Sequence, residues 1–255
     1  MSRGRLQDRV AIITGGARGI GRAIAFKMVK EGASVMLLDP LADELAQLID
    51  ELKALGGNAY SITSDVSDRS AVDDVVSLTL KKLGTVDILV NNAGISLADS
   101  LEEIKEEDWD TLVKVNLKGS FFCVQSVIPI MKDNGYGKII NISSRASLGK
   151  LSRTVYSATK AGLIGMTRSM ALELARYGVN VNCVAPGPIA TELFNSVNPE
   201  GSEKTKAIID AIPLKRIGRP EDVANLVAFL ASDEASFITG QTIFTCGGLT
   251  VGMAH

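Results

Sequence analysis

Tyr156 and Lys160 stand four residues apart in a stretch, Thr154 to Tyr177, whose spacing predicts a helix, so the two side chains share a face. A phenol titrates near ~10, too high for a general base at neutral pH, and an ammonium beside it favours the phenolate. Such a pair can move a proton to or from a substrate oxygen, and an oxidised nicotinamide would add further positive charge. The same pair on an ordinary surface helix would be solvated and idle, so its surroundings decide its role. The single histidine, His255, ends the sequence, which leaves a Ser-His-Asp hydrolase without a convincing base. Cys123, Cys183 and Cys246 are scattered, form no CxxC pair and read as small buried apolar residues, so no metal site is expected.

The elements that would position this pair alternate along the chain. Val10 to Gly21, VAIITGGARGIG, joins a short apolar strand, Val10 to Ile13, to a helix, Ile20 to Glu31, through a glycine-spaced turn. Gly15, Gly19 and Gly21 lack a Cβ, which permits a tight turn, close approach to a pyrophosphate and close helix packing, with the phosphates at the helix N-terminus. Glycine turns of this kind also occur without a ligand. A second strand, Ala33 to Leu38, ends at Asp39, eighteen residues after Gly21, where a carboxylate can accept hydrogen bonds from an adenosine ribose and would repel a 2′-phosphate. Asp39 could equally serve as an acid before the next helix.

A helix is predicted over Ala42 to Leu55, a strand over Ala59 to Thr63 followed by Asp65 near the adenine, and a helix over Val72 to Leu83. The strand Ile88 to Val90 runs into Asn91-Asn92-Ala93-Gly94, where small residues leave room for a ligand against the backbone. A long helix, Trp109 to Met131, carries Asn116 among apolar residues, a placement that usually means a bond to solvent or to a backbone carbonyl. Then come a strand (Lys138 to Ile142), a polar loop (Ser143 to Arg153), the Tyr156 helix, a strand (Asn180 to Val184), a mobile segment over a pocket (190–215), a helix (Asp222 to Ala231) and a last strand (Thr242 to Thr245). No linker or composition break interrupts this order. It predicts an α/β fold: one domain over 1–255 built on a single doubly wound parallel sheet, with helices on both faces.

In that order and spacing, Thr14-Gly15-x-x-x-Gly19-Ile20-Gly21, Asn91-Asn92-Ala93-Gly94, Asn116, Ser143-Ser144, Tyr156-x-x-x-Lys160 and Pro186-Gly187 resemble the short-chain dehydrogenase/reductase family over essentially the whole chain. The chain is similar to its NAD-dependent alcohol and polyol dehydrogenases and to its 3-oxoacyl-thioester reductases. The resemblance implies a Rossmann fold in which Tyr156 exchanges a proton with the substrate oxygen. Lys160 would lower the Tyr156 pKa and hold the nicotinamide ribose. Ser144 would hydrogen-bond the same substrate oxygen, and Asn116 would position a water leading from Lys160 to solvent. Ser144 lies twelve residues before Tyr156, one fewer than is common in the family, so counting back from Tyr156 selects Ser143. Counting from the preceding strand selects Ser144, because a one-residue loop deletion is cheaper than turning a strand over.

Cofactor contacts implied by the resemblance are Gly15, Arg18, Gly19, Ile20 and Gly21 in the turn, Asp39 at the ribose, and Asp65 and Val66 at the adenine. Asn91, Ala93 and Gly94 would line the strand end, Pro186, Gly187, Ile189 and Thr191 would face the nicotinamide, and Tyr156 and Lys160 would touch the cofactor as well. Arg18 is a basic residue that could also meet a 2′-phosphate, but Asp39 occupies that position, so NAD is expected. Relatives bury a subunit interface with the last helix and strand, which implies a homotetramer, although Cys246 replaces the usual aspartate there.

Arg145, Lys150 and Arg153 share the loop before Tyr156 with no acidic residue, which reads either as a solvated basic loop or as a site in which Arg145 and Arg153 meet an anionic substrate. The 27 basic and 29 acidic residues nearly cancel to a net charge of −2, so no global field attracts nucleic acid or an anionic membrane. The apolar run after MSRGRLQDRV breaks at Thr14-Gly15-Gly16, which is no signal peptide, and no window approaches the ~18 apolar residues of a membrane helix; a cytoplasmic protein follows. The expected activity is hydride exchange between NAD(H) and a secondary alcohol or ketone, with anionic and polyol substrates as the candidates. The rivals are an NADPH-dependent 3-oxoacyl-thioester reductase and a dinucleotide sensor without turnover, the latter having no need of a proton relay.

Overall fold

Apolar runs flanked by glycine and polar residues become seven strands: β1 (Val10–Thr14), β2 (Ser34–Asp39), β3 (Ala59–Thr63), β4 (Ile88–Asn91), β5 (Gly137–Ile142), β6 (Val179–Pro186) and β7 (Thr242–Thr245). In the computed structural model, which describes residues 4–252, they form one sheet in the order β3-β2-β1-β4-β5-β6-β7 with every pair parallel. His255 and Met1 to Arg3 lie outside the described residues. Helices α1 (Gly19–Lys30), α2 (Ala42–Ala54) and α9 (Pro220–Leu230) cover one face. Helices α3 (Arg69–Leu83), α5 (Ser120–Asn134) and α6 (Thr154–Leu174) cover the other. Side chains alternate between the two layers, Ala11 and Ile13 entering one core and Ile12 the other, which is why the strands read as unbroken apolar runs. The chain reverses direction across the sheet at β1 and β4, whose carboxyl ends pair Thr14 with Asn91. Such a switch point is where open α/β sheets hold ligands.

Three stretches differ from the sequence reading. The long helix is α4 (Glu106–Val113) running into α5 through a π-helical turn, Lys114–Gly119, that contains Asn116. The loop after β5 holds a 3₁₀ turn, Arg145–Leu148. Residues 190–215, read as a mobile segment, carry two helices, α7 (Glu192–Val197) and α8 (Glu203–Ala211), capped by the Thr191 and Ser202 hydroxyls. Two Ser/Thr caps each followed at once by a glutamate are the local signal for those helices. Among the described residues, no helix is long and apolar enough to cross a membrane.

Candidate active site

At the β1 end, Gly15 takes a φ of +64°, and a Cβ there would lie 2.7 Å from Ala93 Cα. A Cβ on Gly21 would come within 1.9 Å of the Gly15 carbonyl oxygen, so this glycine lets α1 start directly against the turn. Two motif residues given no role from sequence fix the arrangement. The Thr14 hydroxyl accepts from the Asn92 and Ala93 amides, each at 3.1 Å, and Asn92 Nδ2 donates to the carbonyls of Thr14 (3.1 Å) and Gly15 (2.7 Å). Their signal is the polar residue standing at each strand end.

Asp39 closes β2, 7% exposed, and its carboxylate accepts from the Ala17 amide (3.0 Å) and the Leu41 amide (3.1 Å), tying the glycine turn to the β2 end. Arg18, the basic residue of the turn, is paired with Glu44 of α2 and stands 3.7 Å from Glu192 of α7. Asp65 accepts from the Ser67 amide at 2.8 Å, and Val66 is buried against Gly119. The Asn91 side chain turns into the sheet, donating to Asn141 Oδ1 at 2.9 Å, so only its main chain is left to meet a cofactor. Ile189 likewise packs its side chain into the core. Ile20 is half-buried against the same core, and Thr191 caps α7 and overlies Gly19. Pro186 ends β6, and Gly187 abuts Cys246 so closely that a Cβ would lie 2.8 Å from it. A cleft of about 680 Å³ runs beside the turn along α1, lined by Arg18, Gly19 and Thr191 but by neither Tyr156 nor Lys160.

The second cluster stands where β5 and β6 end. Ser143 and Ser144 point different ways: the buried Ser143 hydroxyl donates to the Lys160 carbonyl at 2.6 Å, whereas the Ser144 hydroxyl accepts from the Ala146 amide and lies near enough to the Tyr156 phenol to favour its charged form. The strand register thus gives Ser144, not Ser143, the position beside Tyr156. Lys160 is 4% exposed, donates to the Ile142 carbonyl at 2.8 Å, and has its ammonium 5.8 Å from the centre of the Tyr156 ring. Burial lowers its pKa to about 8. The expected lowering of the Tyr156 pKa by Lys160 is not what the structure shows. Burial raises it, and the opposing influences are the Ser144 hydrogen bond and the Arg153 charge.

Asn116 is fully buried in the π-helical turn. Its side chain accepts from the Ile95 amide (2.8 Å) and donates to the Ile95 carbonyl (2.9 Å) and to Thr159 Oγ1 (3.2 Å). It is therefore bonded to backbone, but in another segment of chain rather than in its own helix. A Cβ at Gly94 would be 3.2 Å from both Asn116 Oδ1 and Lys160 Nζ, so Gly94 brings the glycine-turn side and the Tyr156 side within contact of each other. π-turns of this kind collect at functional sites. Of the cysteines, Cys123 fits the apolar reading, its thiol pushed up to about 12 by burial, and Cys183 is raised likewise. Cys246 departs from it. Burial pushes this thiol up, but hydrogen bonds from the Thr250 hydroxyl and the amides of Thr250, Gly248 and Leu249 outweigh that and lower it.

Residues 15–250 match a family described as enoyl-(acyl carrier protein) reductase. The chain is 43% identical over 243 residues to the (2S)-[(R)-hydroxy(phenyl)methyl]succinyl-CoA dehydrogenase subunit of Thauera aromatica, covering 95% of this chain and 97% of that one. It is 43% identical over 248 residues to a 3-oxoacyl-[acyl-carrier-protein] reductase of Thermotoga maritima, covering 97% and 100%. The chain belongs to the short-chain dehydrogenase/reductase family. Among solved members, levodione reductase superposes with a TM-score of 0.92 at 33% identity, covering 97% of this chain and 100% of that one. Short-chain dehydrogenases are oxidoreductases that bind a nicotinamide dinucleotide, and the switch point of this member, with its glycine turn open toward Ala93 and its β2 carboxylate, has the shape and donor set for one.

Proposed function

We propose that this protein is an NAD-dependent dehydrogenase that interconverts a secondary alcohol and a ketone. The observation that carries the reading is the buried Lys160, its ammonium 5.8 Å from the centre of the Tyr156 ring and across Gly94 from the glycine turn, with Ser144 acting on the same phenol. The nicotinamide, when bound, supplies the acceptor or donor of the hydride. Gly15, Gly19, Ile20, Gly21, Ala93 and Gly94 would cradle it, with the main chain of Asn91, Pro186, Gly187 and Ile189 and the Thr191 hydroxyl along its length, and Asp65 and Val66 at the adenine.

Tyr156 moves the proton. Its raised pKa leaves the phenol protonated at neutral pH, ready to donate to a carbonyl oxygen as negative charge develops there. Ser144 bonds the same oxygen and stabilises that charge. In the oxidative direction the alcohol proton would pass to the phenolate, which Ser144 and the Arg153 charge favour and a bound cationic nicotinamide would favour further. Asn116, held by the Ile95 backbone and by Thr159, would position a water that leads from Lys160 to solvent.

NAD rather than NADP follows from charge. Asp39 occupies the ribose end of β2, and the cation that would answer a 2′-phosphate, Arg18, is neutralised by Glu44 and Glu192. The competing reading, NADPH-dependent reduction of a 3-oxoacyl thioester, draws on the name of the Thermotoga relative. The reading also includes a cytoplasmic homotetramer. The edge strand β7 is only half-buried and Phe237 beside it is fully exposed, a surface a second copy would cover. Helices α7 and α8 would cover the substrate side. Reduction of NAD⁺ and NADP⁺ by secondary alcohols, polyols, hydroxy acids and 3-hydroxyacyl thioesters tests this: a higher kcat/KM with NAD is expected, and equal or better efficiency with NADP would refute it.

A further inference from the structure

The loop between Ser144 and Tyr156 breaks the rules that govern a helix start. Anions and small polar caps favour a helix N-terminus and cations disfavour it. Yet the residue capping α6 is Arg153, no side chain satisfies its first amides, and its first turn holds no acidic residue. Arg145 and Lys150 join Arg153 from the preceding turn, and the chain carries no Asp or Glu anywhere between Asp133 and Glu173. Among the described residues none of these three cations has an ion-pair partner, although Arg18, Arg22, Arg69 and Arg216 elsewhere all do. Ser152, immediately before the cap, is held at a φ of +56°, a left-handed backbone that a residue with a side chain seldom adopts.

A fourth cation comes from the other side. Lys204 of α8, anchored through its ammonium to the Val197 carbonyl at 3.1 Å, interacts electrostatically with Lys150, as do Arg153 and Arg145. Lys150 is an exposed side chain; desolvation of its ammonium and the Arg153, Arg145 and Lys204 charges hold its pKa below the ordinary lysine value. Arg153 is the N-cap of the helix that carries Tyr156, three residues before it, and its charge reaches the phenol. Local violations that nothing else in the fold compensates mark function rather than stability.

We propose that Arg145, Lys150 and Arg153, with the open amino end of α6 and Lys204 of α8, bind an anionic group carried by the substrate. The enzyme then acts on secondary alcohols and ketones that bear a carboxylate or an equivalent charge. This rests on the proposed hydride-transfer reading and extends it to a substrate class. It also gives α8 a role, because Lys204 brings the covering segment onto the bound anion. A carboxylate on the reacting carbon chain and the phosphates of an acyl thioester share this chemistry.

The test compares 3-hydroxybutyrate, its methyl ester and 3-hydroxybutyryl-CoA as substrates with NAD⁺, in the wild type and in Arg153→Gln, Lys204→Gln and the control Lys206→Gln. The site predicts that a charged substrate exceeds the ester by about 10- to 100-fold in kcat/KM, mostly through KM. That ratio falls toward one in Arg153→Gln and Lys204→Gln and is kept in Lys206→Gln. Preference for the free acid locates the charge on the carbon chain, and preference for the thioester alone locates it on the carrier. Calorimetric titration of the NADH-loaded protein with glutarate and with its neutral diamide reads the site without turnover, so a failure of the catalytic reading leaves this test standing. Equal handling of acid, ester and thioester, or glutarate binding no tighter than the diamide, overturns the proposal.

Discussion

The two halves of the site are built on opposite principles. Around β1, β2 and β4 the polar groups are satisfied in advance: Asp39 by two amides, Asn92 by two carbonyls, Arg18 by two carboxylates. Around β5, β6 and α6 the charges are left without counterions. Lys160 is buried with the Ile142 carbonyl as its hydrogen-bond acceptor, burial raises the Tyr156 pKa, and Arg145, Lys150 and Arg153 share one loop without an ion-pair partner among the described residues. The difference teaches where each half acts. A rigid, neutralised cradle can accept one common dinucleotide with little rearrangement, whereas uncompensated charge stabilises whatever supplies the missing partner.

Substitutions can break that division. The largest expected effect is on turnover: Tyr156→Phe removes the proton donor and should lower kcat by about 10²- to 10⁴-fold, read by NADH absorbance. Next comes the stored cost of Lys160. Its pKa in the fold is about 8 against about 10.5 unfolded, so between those pH values the unfolded chain holds more protons and stability rises with pH. Relative to Lys160→Met, the nucleotide-free wild type should gain about 3 kcal/mol on going from pH 8 to about 10.5, measured by urea unfolding, and a flat difference would mean the ammonium is solvated. On the cradle side, Asp39→Asn should lower the NAD-to-NADP ratio of kcat/KM by about tenfold, since it removes the charge that opposes a 2′-phosphate. Glu44→Gln, which partly frees Arg18, should lower the same ratio by only about two- to threefold, the range of an exposed ion pair.

The cradle is also the half more legible in the sequence. Its parts are backbone turns and strand ends, which glycine spacing and apolar runs announce directly, and the sheet and its helices follow from the same pattern. What stays hidden depends on side chains meeting across the fold. Ser144 is separable from Ser143 in the sequence only by counting from the preceding strand, since counting back from Tyr156 selects the wrong one. Asn116 looks like a solvated or backbone-bonded helical residue because a π-turn has no composition signal. Residues 190–215 read as a mobile segment because α7 and α8 are short and mostly exposed, so no apolar periodicity marks them. A neighbouring cation such as Lys160 has the right sign to lower the Tyr156 pKa, but burial outweighs it. Lys204 is invisible in the sequence because its relation to the Arg153 loop is purely spatial.

The central claim is that the dinucleotide is held by the cradle while the proton is moved elsewhere. Fluorescence titration of NADH into Tyr156→Phe tests it most directly. A Kd within about twofold of wild type, a difference below ~0.5 kcal/mol, is predicted for a protein that no longer turns over. A tenfold or greater loss of NADH affinity would contradict the claim, because Tyr156 would then belong to the cradle itself.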